Sequence, residues 1–338
     1  MIRPIIKYIT FSVLLITSIT SIAKVQVRVV DVGSGLCILS SDKVNNKYFL
    51  YDAGRWDNDI CSDFVLETIE SHRLSLIVIS HPDSDHLSNL PQILERAEAD
   101  IIVHTGYKRS RIGYWRKSNT AISKASKSGS TVINLATFKL SNINDSIQLG
   151  DMYIEFIYGK ASWGGQRGLA ENERRNAISI VVKLTAHGQS ILFSGDTVGR
   201  HEDDPEDVCA YAEQEMINSN KNLEAKILIA PHHGANNASS KCFLDAVKPT
   251  SIIFSAGHRY QHPREQTIDR IKNTLGLSDE DMYRTDRGDD EGRKEWDYLR
   301  INGCKDKAGD DDIQITIEDN SDMSINYITS ENECISSI

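Results

Sequence analysis

LSLIVISHPDSDH, residues 74–86, is the stretch on which the reading of this chain turns. Leu74 to Ser80 is an almost continuous apolar run, the signature of a strand buried on both faces. It breaks straight into His81-Pro82-Asp83-Ser84-Asp85-His86, a short loop with two imidazoles and two carboxylates. Side chains in such a loop can converge on one point. Hard carboxylate oxygens with borderline imidazole nitrogens suit Zn²⁺ or Mn²⁺. The bland alternative is a polar surface loop whose aspartates cap the following helix.

Working outward, Val25 to Val30 and Leu36 to Leu39 read as strands around the glycine turn Asp31-Val32-Gly33-Ser34-Gly35. Lys47 to Tyr51 is a third strand, ending at Asp52-Ala53-Gly54. Asp63 to Ser71 and Asn89 to Ala97 have helical spacing, and Ile101 to Val103 is the next strand. The second half repeats the grammar. Ile178 to Leu184, Ser190 to Phe193, Ala225 to Ala230 and Ser251 to Ser255 are strands. They lead to Asp196, to His232-His233, and to Gly257-His258 with His262-Pro263. Alternating strand, loop and helix predicts an α/β layered domain, with polar side chains gathered where buried strands end. Asp52, Asp196, His232 and His233 each lie beyond an apolar strand and close to glycine. Each alone is an ordinary turn residue, but together and in this order they form a pattern.

That pattern resembles the metallo-β-lactamase superfamily. Its subtype is similar to the extracellular metallo-β-lactamase-like domain of ComEC-type competence proteins. The phrases that carry it are VVDVGSG at 29–35, YDAG at 51–54, SHPDSDH at 80–86, NAIS at 176–179, SGDT at 194–197, APHHGANN at 230–237 and HP at 262–263. They lie between Lys24 and Arg287. The resemblance implies an αββα sandwich with two divalent metals, Zn or Mn, at one edge. It puts His81 and Asp83 on the first metal, Asp85 and His86 at the second, and Asp196 between them. His232 or His233 completes the second sphere, and Asp52 supports the site from behind. Asn176 stands where the superfamily's third histidine is missing, a possible ligand. His81-x-Asp83 replaces the familiar His-x-His; this hardens the site toward Mn²⁺ and away from a true β-lactamase. Asp85 and His262 are the catalytic candidates, Asp85 as proton acceptor or orienter and His262 as the residue that orients substrate or leaving group.

The ends of the chain have other signals. Arg3 and Lys7 precede an uncharged stretch, Tyr8 to Ile19, too short for a comfortable membrane span, and Ser21-Ile22-Ala23 supplies small residues for cleavage before Lys24. The expectation is a signal peptide at 1–23, a hydrolase domain at 24–300, and an acidic extension at 301–338. Asp312 to Tyr327 would form a hairpin packed on the domain. The location is secreted or periplasmic, with no stable membrane insertion after cleavage and no protein partner evident. Six cysteines (Cys37, Cys61, Cys209, Cys242, Cys304, Cys334) include no C-x-x-C pair. In an oxidising compartment they can form long-range disulfides, whose pairing the sequence leaves open.

The formal charge is −10, which disfavours nucleic acid or an anionic membrane as a partner for the surface at large. The charge is uneven, however. Residues 101–144 contain no Asp or Glu, and Tyr107, Tyr114 and Trp115 interleave with Lys108, Arg109, Arg111, Arg116 and Lys117. Cations beside aromatic platforms are what single-stranded nucleic acid binding uses; the bland reading is a solvated loop. Arg174 and Arg175, beside Asn176, add a phosphate clamp. The expected function is a secreted metal-dependent phosphodiesterase, a nuclease on single-stranded nucleic acid. The alternatives are a phosphodiesterase for a small phosphocholine-type head group and a non-catalytic DNA-binding module.

Overall fold

The computed structural model describes residues 24–138, 146–164, 168–287 and 311–328. The expected signal peptide, Cys304 and Cys334 lie outside the described residues.

The first half lays down β1 (Lys24–Val29), β2 (Cys37–Asp42), β3 (Lys47–Ala53), β4 (Leu74–Ile79), β5 (Ala99–His104) and β6 (Thr131–Asn134). Between them run α1 (Ile60–Ile69), α2 (Ser84–Leu87), α3 (Leu90–Arg96) and α4 (Gly113–Lys127). The second half contains β7 (Ser146–Leu149), β8 (Met152–Tyr158), β9 (Val181–Ala186), β10 (Gln189–Phe193), β11 (Ile227–Ile229), β12 (Ser251–Phe254) and β13 (Met282–Arg284). Its helices are α5 (Glu171–Asn176), α6 (Tyr211–Asn218), α7 (Lys241–Val247) and α8 (Glu265–Leu275). A last hairpin, β14 (Asp312–Glu318) and β15 (Met323–Ile328), follows.

The strands form two mixed sheets, ordered β15-β14-β1-β2-β3-β4-β5-β6 and β13-β12-β11-β10-β9-β8-β7. Period-two alternation builds the layers. Leu76 and Val78 of β4 face the second sheet and pack in one core with Ile154, Phe156, Val182 and Phe193. Ile77 and Ile79 point the other way, onto Val65 and Ile69 of α1, Leu90 and Ile93 of α3, and Ile122 of α4. The second sheet does the same with Leu192, Leu228 and Ile252, which α6, α7 and α8 cover. The result is the αββα sandwich that the resemblance implies. Tyr51 ties the sheets together; its hydroxyl, buried between them, donates to the Ile180 carbonyl at 2.7 Å.

The hairpin at 312–328 is part of the first sheet. β14 pairs antiparallel with β1, and Ile313, Ile315 and Ile317 are fully buried in the inter-sheet core. Its strands therefore extend the domain's own sheet. Two disulfides answer the pairing question for four cysteines. Cys37–Cys61 fastens β2 to α1 and Cys209–Cys242 fastens the loop before α6 to α7, across 24 and 33 residues.

One element differs from expectation. The helix α4, Gly113–Lys127, takes in the end of the basic segment at 107–117, whose bland reading is a solvated loop. Its inward face runs through Tyr114, Ser118, Ile122 and Ala125, spaced as one helical stripe. The stripe is interrupted by polar Ser118, which is buried and donates to the Leu87 carbonyl at 3.0 Å. That substitution of a hydrogen bond for apolar contact hides the helix from a hydrophobicity reading.

Candidate metal centre

β3 pairs parallel with β4, and β10, β11 and β12 are mutually parallel, so their carboxyl ends lie along one edge of the sandwich. Asp52 is the penultimate residue of β3, Ser80 and His81 follow β4, and Asp196 follows β10. His232 and His233 follow β11, and Ser255 follows β12. Close contact between the sheets here needs Gly195, whose φ is +52° and where a Cβ would lie 2.8 Å from the Cβ of Ser80. Asp52, His232 and His233 also have left-handed backbones, with φ of 60°, 51° and 57°. Such conformations cost about 1–3 kcal/mol each in a non-glycine residue and concentrate at functional sites.

Each imidazole is aimed by a fixed partner. Asp52 is fully buried; it accepts from the Ser80 amide at 2.6 Å, the Ser80 hydroxyl at 2.7 Å and His86 Nδ1 at 2.7 Å. His233 Nδ1 lies 2.7 Å from the Ser255 carbonyl, which can only accept, so Nδ1 holds the proton and Nε2 is a bare lone pair. His81 Nδ1 sits 3.0 Å from the Ser80 hydroxyl. The three Nε2 atoms then turn to Asp196. Its Oδ1 lies 3.2 Å from His86 and 3.5 Å from His233, and its Oδ2 lies 3.7 Å from His81. The carboxylate thus presents one oxygen to each side of the cluster. A hydroxyl of the chain steadies it from behind, since the Asp196 amide donates to Ser179 Oγ at 3.1 Å.

Two ligand sets fall out of this geometry: His81, His86 and Asp196, and Asp85, His86 and His233. Their fit to a cation rests on unsatisfied atoms. Nε2 of His81, His86 and His233 and Oδ1 of Asp196 are all buried and make no hydrogen bond, although buried polar atoms are almost always paired. His86 Nε2 and Asp196 Oδ1, both electron-rich, need a positive charge between them. Burial disfavours charge on His86, yet Asp196 and then Asp52 raise its pKa well above the usual imidazole value. Burial would likewise raise Asp196, but His86, His233 and His81 hold it well below the carboxylate range. Burial brings His81 down to about 3 and lowers His233, leaving neutral nitrogen donors. These residues fit a divalent metal.

Replacing Asp52 with asparagine tests the support. The amide keeps the shape but no longer holds the proton of His86 with a full negative charge. Metal affinity should fall roughly 10- to 100-fold, read by titration with a fluorescent competitor chelator. Unchanged affinity would show that His86 is oriented by packing alone.

Three of the expected placements differ from this arrangement. Asp83, expected on the first metal, belongs to neither ligand set. Arg109 Nη1 and Arg175 Nε each lie 2.6 Å from its Oδ1, and Arg175 Nη2 lies 3.2 Å from Oδ2. Burial opposes charge on Asp83, but His81 and these two guanidiniums lower its pKa, and the fork geometry of Arg175 occupies both oxygens. His232 also stands outside both sets. Its ring is taken by Asn237 at 2.7 Å and Asn176 at 3.0 Å, with Nε2 3.9 Å from Asp196. Asn176 therefore serves His232 through its amide nitrogen, while its Oδ1 is buried without a partner.

The third difference concerns the basic segment. A cavity of about 350 Å³ opens over the cluster, and Arg109, Tyr114 and Arg175 line it with Asp83, Asp85, His232, His233 and His262. Lys108, Arg111, Trp115 and Arg116 do not. Lys108 and Arg111 are exposed elsewhere, and Arg116 lines a separate groove with Pro91 and Leu94. The Trp115 indole turns in and donates to the Tyr107 carbonyl at 2.9 Å, so it is no open stacking platform. Ser80, Asn237 and Tyr260 complete the site without having been singled out. Ser80 and Asn237 lay inside the motif phrases, and the signal that finds them is their hydrogen-bonding capacity beside a ligand histidine.

A family model for the metallo-beta-lactamase superfamily matches residues 31–258, and the chain belongs to that superfamily. With the buried His/Asp cluster in place, it is a metal-dependent hydrolase of that class. It is similar to ComE operon protein 3 of Bacillus subtilis (strain 168), at 20% identity over 203 residues, 59% of this chain and 22% of the relative. It is also similar to Competence protein ComA of Neisseria gonorrhoeae, at 30% identity over 111 residues, 31% of this chain and 14% of the relative. The chain thus spans less than a quarter of these curated relatives. The solved metallo-beta-lactamase fold protein YhfI from Bacillus subtilis superposes with a TM-score of 0.46 at 10% identity, over 77% of this chain and 95% of that one.

Proposed function

We propose that this protein is a two-metal phosphodiesterase acting on single-stranded nucleic acid outside the cytoplasm. The observation that carries the reading is one cavity with two kinds of wall. The His/Asp cluster forms its floor, and Arg109 and Arg175 are the Arg or Lys side chains among its described lining residues. Guanidiniums match the oxygens of a phosphodiester in a way that a neutral lactam or ester does not require. The two-sided presentation of Asp196 supports a pair of cations, and the mixture of carboxylate and imidazole favours Mn²⁺ or Zn²⁺. Cations bound there would supply Lewis acidity and bring the pKa of a water toward neutrality.

The chain's own groups do the positioning. Asp85 borders the cavity, and burial raises its pKa, which suits it to orient or accept the proton of an attacking water. His262 is held well below its usual pKa by burial, then by His232 and His233. It stays neutral, and so orients the substrate rather than delivering a proton. Both disulfides support an oxidising location.

The test is cleavage of an end-labelled single-stranded oligonucleotide by the full chain with Mn²⁺, with Zn²⁺ and with chelator. Cleavage that chelator abolishes and metal restores is expected. Failure with every divalent metal, alongside hydrolysis of a small chromogenic diester, would move the assignment to a small-molecule substrate. Salt-sensitive binding without turnover would make it a binding module.

A further inference from the structure

The turn between β1 and β2 joins the loop after β3 to the turn after β12 beside the cavity mouth. Two glycines allow it: a Cβ at Gly257 would lie 2.4 Å from the Ser34 amide nitrogen, and one at Gly33 2.5 Å from Arg55 Nη1. On this joined surface stand Trp56, 38% exposed, and Tyr260, 42% exposed. The guanidinium of Arg259 lies over both rings, 4.8 Å from the Trp56 centroid and 5.6 Å from that of Tyr260. The Arg55 guanidinium also lies near Trp56, 5.1 Å from its centroid, but its charge is matched by Asp57. Arg259 has no ion pair among the described residues. Tyr260 in turn stacks on His262, with centroids 6.2 Å apart and planes 27° apart, and both line the cavity.

A single exposed aromatic needs no explanation. Here two exposed aromatics share one cation that has no ion pair among the described residues, and the row is continuous with the cavity over the metal centre. We infer that Trp56, Arg259 and Tyr260 form a stacking platform that receives the bases of a single strand leading out of the metal centre. The inference rests on the polynucleotide reading above and deepens it by giving the strand a path. Flat rings accept bases of any sequence, and the guanidinium between them attracts the linking phosphates. A neutral sugar chain would use the rings but has no use for Arg259. The platform sits on different loops from the basic segment at 107–117, whose one tryptophan is turned inward.

Affinity as a function of strand length tests it. The metal-loaded full chain would be titrated with fluorescein-labelled, phosphorothioate-linked oligothymidylates, from the dinucleotide to about twelve nucleotides, and read by anisotropy. Wild-type affinity should rise with length as bases reach the platform. The Trp56→Ala/Tyr260→Ala double variant should lose roughly ten- to a hundredfold for the longest strand, far more than for the dinucleotide. Trp56→Phe/Tyr260→Phe should recover most of it, which separates stacking from misfolding. Arg259→Glu should flatten the salt dependence. Oligonucleotide cleavage by an enzyme whose double variant keeps full long-strand affinity overturns the platform and leaves the nuclease reading standing. A wild type that neither binds nor cleaves any oligonucleotide overturns both. Tight binding of a neutral oligosaccharide that the double variant loses would also overturn it.

Discussion

Asp196→Asn should lower metal-dependent hydrolysis by at least about a thousandfold and strip the protein of tightly held metal. The substitution is nearly isosteric, so the left-handed turn at Gly195 and the hydrogen bond from the residue 196 amide to Ser179 are kept. What changes is charge. Three histidines turn their Nε2 atoms to one carboxylate, two at Oδ1 and one at Oδ2. A neutral amide gives only one acceptor atom to that arrangement, and it lacks the negative charge that would balance a cation there. The loss of about 4 kcal/mol of transition-state stabilisation corresponds to that thousandfold, since the nucleophile's activation depends on the cation. Element analysis after gel filtration should show metal content well below wild type, with circular dichroism unchanged. Full metal content with near-normal turnover would remove Asp196 from the centre of the site.

How much of this was readable in advance follows from where each signal resides. β4 is legible because both of its faces are buried, so LSLIVIS leaves only one interpretation. Its abrupt end in a run of imidazoles and carboxylates marks the sheet edge. The helix α4 is illegible because its buried face spends a hydrogen bond at Ser118 where a leucine would announce itself. Its exterior cations then look like a loop. The choice between His232 and His233 is beyond any sequence reading: adjacent residues in the same backbone region are separated only by what meets Nδ1. The Ser255 carbonyl leaves His233 with a free nitrogen, whereas Asn237 and Asn176 occupy both nitrogens of His232.

Asp83 shows the same limit at longer range. The motif spacing places it beside His81, and the structure agrees to the extent that its Oδ2 is 4.0 Å from His81 Nε2. Its actual partners come from α5 and from the segment before α4, 92 and 26 residues away. No local pattern carries that information. The disulfides are similar, because Cys37 and Cys61 meet only once β2 and α1 have packed.

Those arginines supply the second large effect. An Arg109→Ala/Arg175→Ala double variant should lose about 10²–10⁴-fold in kcat/KM on a phosphodiester while retaining its metal. Both side chains are mostly buried, 19% and 12% exposed, and both border the cavity over the cluster. A charge-assisted hydrogen bond is worth about 1.5–3 kcal/mol, so two lost together give roughly that range by the usual conversion. They are anchored on Asp83, with Arg109 also bonded to the Tyr114 hydroxyl at 2.5 Å. The anchor holds them in place before substrate arrives, so little side-chain entropy remains to be lost on binding. The competing account makes them supports for Asp83 as a metal ligand. Under that account the double variant loses metal in proportion to activity, and excess Mn²⁺ restores turnover. With the arginines acting on substrate, metal occupancy holds at the wild-type level and excess Mn²⁺ restores nothing. Measuring occupancy and kcat/KM on the same preparation separates the two.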